Sequence, residues 1–185
     1  MITRNEALAI VKEHVKNQNL VKHMLAVEAA MAAYAKKYGE DEDRWRVAGL
    51  LHDFDWEIHP SLEKHPQDGS KILKEKGVDD DLIRTILSHA QHTGVPREKK
   101  IDQALFACDE ITGLIVATTL VRPDKKLASV EVESVKKKFK QPAFAAGVKR
   151  EEVEAGARDL GVDLWAEHVP TVLKAMQEIA SDLGL

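Results

Sequence analysis

Residues 50–55 read LLHDFD: Leu50, Leu51, His52, Asp53, Phe54 and Asp55. They continue an apolar helical run through Val47 and Ala48, and such a run should close in a cap or a loop. It closes in an imidazole and two carboxylates. Burying these groups unpaired costs several kcal/mol or forces them neutral. Either the segment opens into water, or a positive partner meets it.

Outward from this stretch the periodicity is helical almost everywhere. A first helix spans about Thr3 to Lys16, with Thr3 and Glu6 at the spacing of a capping box. A second follows Asn19 and carries Leu20, Met24, Val27, Met31 and Tyr34 towards a stop at Gly39. The third begins near Asp41 and runs into the quoted stretch. Pro66 suits the first turn of a short helix ending at Gly77. Asp79 or Asp80 caps the next, which ends at Gly94, and Ile101 to Leu120 forms another, halted by Pro123. Residues 129–183 hold two or three more, broken at Pro142, Gly147 and Gly161, with Pro170 marking a kink or a boundary. No strand, internal repeat or low-complexity linker stands out. The sequence predicts an all-α fold, one compact helical domain over residues 1–185.

A chain of 185 residues with 44% hydrophobic content can fill a sizeable core. Its 27 Lys and Arg against 31 Asp and Glu give a formal net charge of -4, without the basic excess of a dedicated nucleic-acid binder. Cys108 is the only cysteine, which excludes an intrachain disulfide and a cysteine-based zinc site. The opening MITRNEALAI lacks the apolar core and cleavage site of a signal peptide. The run ITGLIVATTLV at 111–121 is too short and too polar to span a bilayer. A cytoplasmic protein without a membrane partner is expected.

Histidine is unevenly placed. Of eight, five fall between 52 and 92: His52, His59, His65, His89 and His92. His23 lies upstream in the second helix, and Asp109 interrupts the apolar run ALFACDEI downstream. Carboxylates rarely sit on an apolar helix face unless paired or metal-bound. Imidazoles and carboxylates together suit Mn, Fe, Co or Zn. A divalent cation would account for LLHDFD, Asp109 and the histidines at once. Adjacent helical residues point about 100° apart, so His52 and Asp53 could flank one ion only near a helix end, between neighbouring helices.

His23, the His52-Asp53 doublet and Asp109 in an all-α chain resemble the HD-domain superfamily of metal-dependent phosphohydrolases, over roughly residues 20–120. The resemblance implies that His23, His52, Asp53 and Asp109 hold one ion. The segment His65-Pro66-Gln67-Asp68-Gly69 resembles the HPxxG segment of the two-metal members, including the HD-GYP proteins. His89 falls where those members place a further ligand. By that resemblance His65 and His89 hold a second ion, with Asp53 bridging, so one or two divalent ions per chain are implied. The pattern departs from HD-GYP proteins in Ser88-His89 for their histidine pair and AQHTGVP for their GYP segment. Phe54-Asp55-Trp56 replaces the IGK that often follows the doublet.

The implied reaction is hydrolysis of a small phosphoester, a nucleotide or related metabolite, by metal-activated hydroxide. A diiron oxygenase with the same ligands and a nucleotide-binding regulatory protein are the alternatives. Asp53 is the catalytic bridge. His92, three residues beyond His89 and sharing its helix face, is read as a ligand, a proton donor or a surface residue. His59 is a second candidate acid, and Arg122, just past the Asp109 helix, the preferred phosphate contact. The helix start near Pro66 would offer backbone N–H groups to the phosphate, with Gly69 allowing close approach. Asp55 and Glu57 are read as exposed loop carboxylates ahead of partners that orient ligating imidazoles. His14 and His168 are read as hydrogen-bonded core or boundary residues, and Cys108 as a small buried apolar one. The oligomeric state stays open.

Overall fold

The computed structural model describes residues 2–185; Met1, the first residue of the expected domain, lies outside them. Glu6 N donates to Thr3 Oγ1 at 3.3 Å and Thr3 N donates to Glu6 Oε2 at 2.8 Å, and this capping box opens helix α1, Arg4–His14. Helix α2, Gln18–Tyr38, closes at Gly39, whose φ of 70° is the left-handed conformation that glycine adopts freely. Asp41 caps α3, Glu42–Leu51, and His52 takes the position that ends it. The short α4, Gln67–Glu75, follows Pro66, and Asp79 caps α5, Asp80–His89. The chain continues through α6 (Lys100–Leu120), α7 (Val132–Phe139), α8 (Arg150–Leu160), α9 (Val169–Glu178) and α10 (Ala180–Leu183). No strand occurs among the described residues, and the fold is all-α.

Two boundaries differ from expectation. Helix α5 stops at His89 rather than at Gly94, because the Thr93 hydroxyl lies 2.9 Å from Leu87 O and 2.8 Å from Ala90 O. Its one hydrogen is shared between carbonyls that a longer helix would bond through its own N–H groups. A 3₁₀ turn, Gln91–Thr93, then leads to Gly94. The C-terminal region forms four α-helices where two or three were expected. The extra division lies at Ile179, between α9 and α10, while Pro170 sits in the first turn of α9 after a π turn at Leu164–His168 and so marks a boundary.

Helix α6 runs through the centre and packs against α2, α5, α8 and α9. Its Ala104, Leu105, Cys108, Ile111, Leu114 and Ile115 are wholly buried. The run 111–121 is thus the end of a longer helix of 21 residues. By length and composition α6 could cross a membrane, but 61% of its most apolar window is buried inside the protein.

Helix spacing is set at two glycines. A Cβ on Gly49 of α3 would lie 2.8 Å from the Cα of Glu28 in α2, and one on Gly156 of α8 would lie 2.6 Å from the Cα of Ala107 in α6. Backbone touches backbone at both places. A helical glycine costs roughly 0.5–1 kcal/mol relative to alanine, and close approach accounts for these two. Gly113 of α6 is different: a Cβ there would meet only Val148 Cγ2, at 3.7 Å.

Candidate metal centre

Helix α2 supplies His23, the end of α3 supplies His52, the turn beyond it supplies Asp53, and α6 supplies Asp109. His23 Nε2 lies 3.0 Å from Asp109 Oδ1 and 3.7 Å from Asp53 Oδ2. His52 Nε2 lies 3.5 Å and 3.6 Å from the same two oxygens, and the two Nε2 atoms are 3.2 Å apart. The other oxygen of Asp53, Oδ1, lies 3.3 Å from His65 Nε2 and 3.5 Å from His89 Nε2. Asp53 therefore belongs to two groups and gives one oxygen to each.

Proton positions decide what these groups can hold. His52 Nδ1 lies 2.8 Å from Gly49 O and His89 Nδ1 lies 2.5 Å from Ile86 O. A carbonyl only accepts, so each Nδ1 carries hydrogen. His65 Nδ1 donates to Asp55 Oδ1 at 2.8 Å. The Thr112 hydroxyl gives its hydrogen to Asp109 O at 2.7 Å, so its oxygen accepts from His23 Nδ1 at 3.3 Å. As neutral rings, all four imidazoles turn an Nε2 lone pair towards Asp53 or Asp109. Lone pairs and carboxylate oxygens this close repel unless a proton or a cation lies between them. With metal–donor bonds of about 2.0–2.2 Å, neighbouring ligands of one ion stand roughly 3.0–3.5 Å apart. The donor set fits divalent ions.

Burial alone would raise the Asp53 and Asp109 carboxyls, but the surrounding imidazoles outweigh it and hold both below the ordinary range. Burial would likewise lower His52 and His89, and the facing carboxylates hold them above the ordinary imidazole value. The cluster attracts positive charge from every side.

Asp55 corrects the expectation of an exposed loop carboxylate. It is wholly buried, accepts from His65 Nδ1 and also accepts from Gly69 N at 3.2 Å. A Cβ on Gly69 would come within 2.4 Å of Asp55 Cγ, so this glycine makes room for Asp55 rather than for a phosphate. The neighbouring N–H groups are also engaged, Asp68 N with Lys64 O at 2.7 Å and Ser70 N with Pro66 O at 2.9 Å. Glu57 is exposed as expected, and it accepts from Lys16 N and Asn17 N, both at 2.9 Å.

The cluster opens into a cleft of about 390 Å³. His92 reaches its rim from the 3₁₀ turn rather than from the helix face of His89, and its Nε2 donates to His65 O at 2.8 Å. His59 and Arg122 do not line it. Arg122 pairs with Asp124 at 3.3 Å and lies about 20 Å along the α6 direction from Asp109 at the usual helical rise. The cation in the cleft is Lys149, at the start of α8. Its Nζ donates to Glu152 at 2.9 Å and its backbone N donates to Glu110 at 3.2 Å. Burial and the nearby Asp109 push Glu110 up to about 7. Trp56 walls the other end, edge-on to His65 with ring centroids 5.0 Å apart. Sequence reasoning missed Lys149 and Glu110, because only the packing of α8 on α6 at Gly156 brings them together. A glycine inside a helical pattern was the one available hint.

Residues 20–113, just over half of the chain, match the family model of the HD domain, and the span holds all six converging residues. The chain belongs to the HD domain family. This is the metal-dependent phosphohydrolase superfamily that its His-Asp pattern resembles. This HD domain chain is 31% identical over 98 residues to a ribonuclease Y of Oleidesulfovibrio alaskensis, covering 52% of the chain and 18% of that protein. It is 36% identical over 73 residues to a ribonuclease Y of Pseudothermotoga lettingae, covering 39% of the chain and 14% of that protein. The chain thus matches less than a fifth of the length of either ribonuclease. An uncharacterized protein of Methanocaldococcus jannaschii is 31% identical over 144 residues, 74% of the chain and 83% of that protein. No solved structure matches. Lys149 lies outside the matched HD domain span.

Proposed function

We propose that the protein hydrolyses a small phosphoester, a nucleotide or related metabolite, with one or two divalent ions. His23, His52, Asp53 and Asp109 would hold one ion; Asp53, His65 and His89 would hold the other. The convergence of four Nε2 lone pairs on two carboxylates carries this reading. The chemistry such ions supply is Lewis acidity towards phosphoryl oxygens and a lowered pKa for water. Lys149, the one lysine or arginine lining the cleft among the described residues, binds a phosphoryl oxygen. Asp55 fixes the tautomer and orientation of His65. His92 stands at the rim as the candidate proton donor to the leaving oxygen, and Trp56 keeps bulk water from the His65 side. The continuous apolar core supports treating the chain as one domain.

The ribonuclease Y relatives favour a second reading, cleavage of RNA. Charge in the cleft argues for the small substrate. Lys149 stands between Glu110 and Glu152, and a strand would need a row of cations to track its phosphates. Apo-protein reconstituted anaerobically with Mn or Co should release phosphate from at least one nucleotide. Efficient RNA cleavage without phosphate release from any mononucleotide would move the reading to a ribonuclease. Activity that appeared only with iron and consumed dioxygen in step with product would make it an oxygenase.

Asp55→Asn should leave the helical circular dichroism intact yet weaken metal retention by the Asp53, His65 and His89 group roughly 10- to 100-fold, the usual cost of losing a partner that orients a ligating imidazole. Calorimetric metal titration reads this directly. Unchanged affinity would confine Asp55 to supporting the loop.

A further inference from the structure

We propose that the leaving group of the substrate passes over Gly113 into a second, apolar cavity, which selects phosphoesters of alcohols bearing an apolar ring or chain. The inference rests on the phosphohydrolase reading. The second cavity measures about 410 Å³ and is walled by Val116, Leu120, Leu183 and Leu185. It shares His23 and Gly113 with the cleft described above, so the two cavities adjoin at these residues, on the side of the metal-binding groups. Both volumes fall in the range of small-molecule sites.

Gly113 supplies an independent observation. The glycines at 49 and 156 are each required by a backbone contact under 3 Å, whereas nothing stands closer than 3.7 Å to the Cβ position of Gly113. Packing gives no reason for a helix-weakening residue inside α6. Position helps explain it: Gly113 lines both cavities, where any longer side chain would stand between them. The far wall also carries exposed apolar surface, with Leu120 50% exposed. Lys22 is the one lysine, arginine, aspartate or glutamate on that wall among the described residues. A second phosphate or a nucleic-acid strand would find little charge to pair with there. An apolar group continuous with the reacting phosphate suits it.

Ethyl phosphate and 2-phenylethyl phosphate, whose leaving alcohols have similar basicity, test this on the metal-loaded protein. The KM of the phenylethyl ester should be about tenfold lower, a difference that Gly113→Leu and Leu120→Gln should each largely abolish. Leu120 is half exposed, so its variant remains informative if Gly113→Leu fails to fold. A second measurement needs no turnover: 1-naphthol, followed by its own fluorescence, should bind the wild-type protein and bind each variant about tenfold more weakly. Naphthol binding unaffected by both substitutions would overturn the proposal, whatever the hydrolysis shows. Naphthol binding lost in the variants of a protein that releases phosphate from neither ester nor any nucleotide would support the cavity and overturn the hydrolase reading instead.

Discussion

Asp53→Ala is expected to leave a folded protein that retains almost no metal and hydrolyses phosphoesters at least roughly 10³-fold more slowly, about 4 kcal/mol of lost transition-state stabilisation. The size of the effect follows from a shared role. Asp53 Oδ2 faces His23 and His52 while Oδ1 faces His65 and His89. Removing one carboxylate therefore takes an anionic donor from both groups at once. The group around His65 and His89 would keep no anionic ligand, and a pair of neutral imidazoles holds hard divalent ions weakly. The fold should persist, because Asp53 follows the last turn of α3 and packs no core side chain in the way Phe54 does. Elemental analysis after dialysis, kinetics and far-ultraviolet circular dichroism read the three parts. Retained metal together with hydrolysis within tenfold of wild type would remove Asp53 from the centre.

A second large effect lies far from the cleft. Acidification should remove about 3 kcal/mol of folding stability through His168 alone between pH 6.5 and pH 4. Its ring is wholly buried: Nε2 donates to Ala107 O at 2.9 Å, and Nδ1 accepts from the Tyr34 hydroxyl at 2.6 Å. That pattern satisfies a neutral imidazole and leaves no site for a second proton. Burial lowers the folded-state value from 6.5 to about 4. Between these values the unfolded chain binds the proton and the folded chain does not, so unfolding gains as pH falls. The contribution is complete above 6.5, declines through the window and is spent below about 4. His168→Gln supplies a neutral amide with one donor and one acceptor for the same partners. Urea unfolding at several pH values should give a steeper acid loss for wild type than for this variant. The comparison isolates His168, because every other ionisable group is common to both proteins. Parallel pH dependences would refute the assignment.

The parts of the molecule legible in sequence are those whose physics is local. Thr3 with Glu6, Asp79 before α5 and Gly39 after α2 act within one turn of chain, and each forms as expected. The His-Asp constellation was legible because an imidazole or carboxylate at the end of an apolar run is costly wherever it folds. Its convergence is seen only in the structure. Asp55 could not be told from a solvated loop carboxylate, since its burial depends on Gly69, fourteen residues on. Arg122 was chosen for nearness in sequence to Asp109, yet the length of α6 carries it away. Lys149 arrives from forty residues beyond Asp109 because α8 lies against α6. Contacts between segments distant in sequence decided the misses at Asp55 and Lys149.

Gly49 joins two tasks in one residue. Its absent side chain lets α3 rest against the backbone of Glu28 in α2, and its carbonyl holds the His52 ring through Nδ1. His23 and His52, which come from these same two helices, are thereby gauged by main-chain contact, with no rotamer in the dimension that separates them. Aliphatic exchanges among the neighbouring Met24, Leu50 and Leu51 can then change how firmly the protein folds without detuning the gap between the imidazoles. The centre has mechanical tolerance to drift in the core around it. That tolerance ends at a single methyl group placed on residue 49.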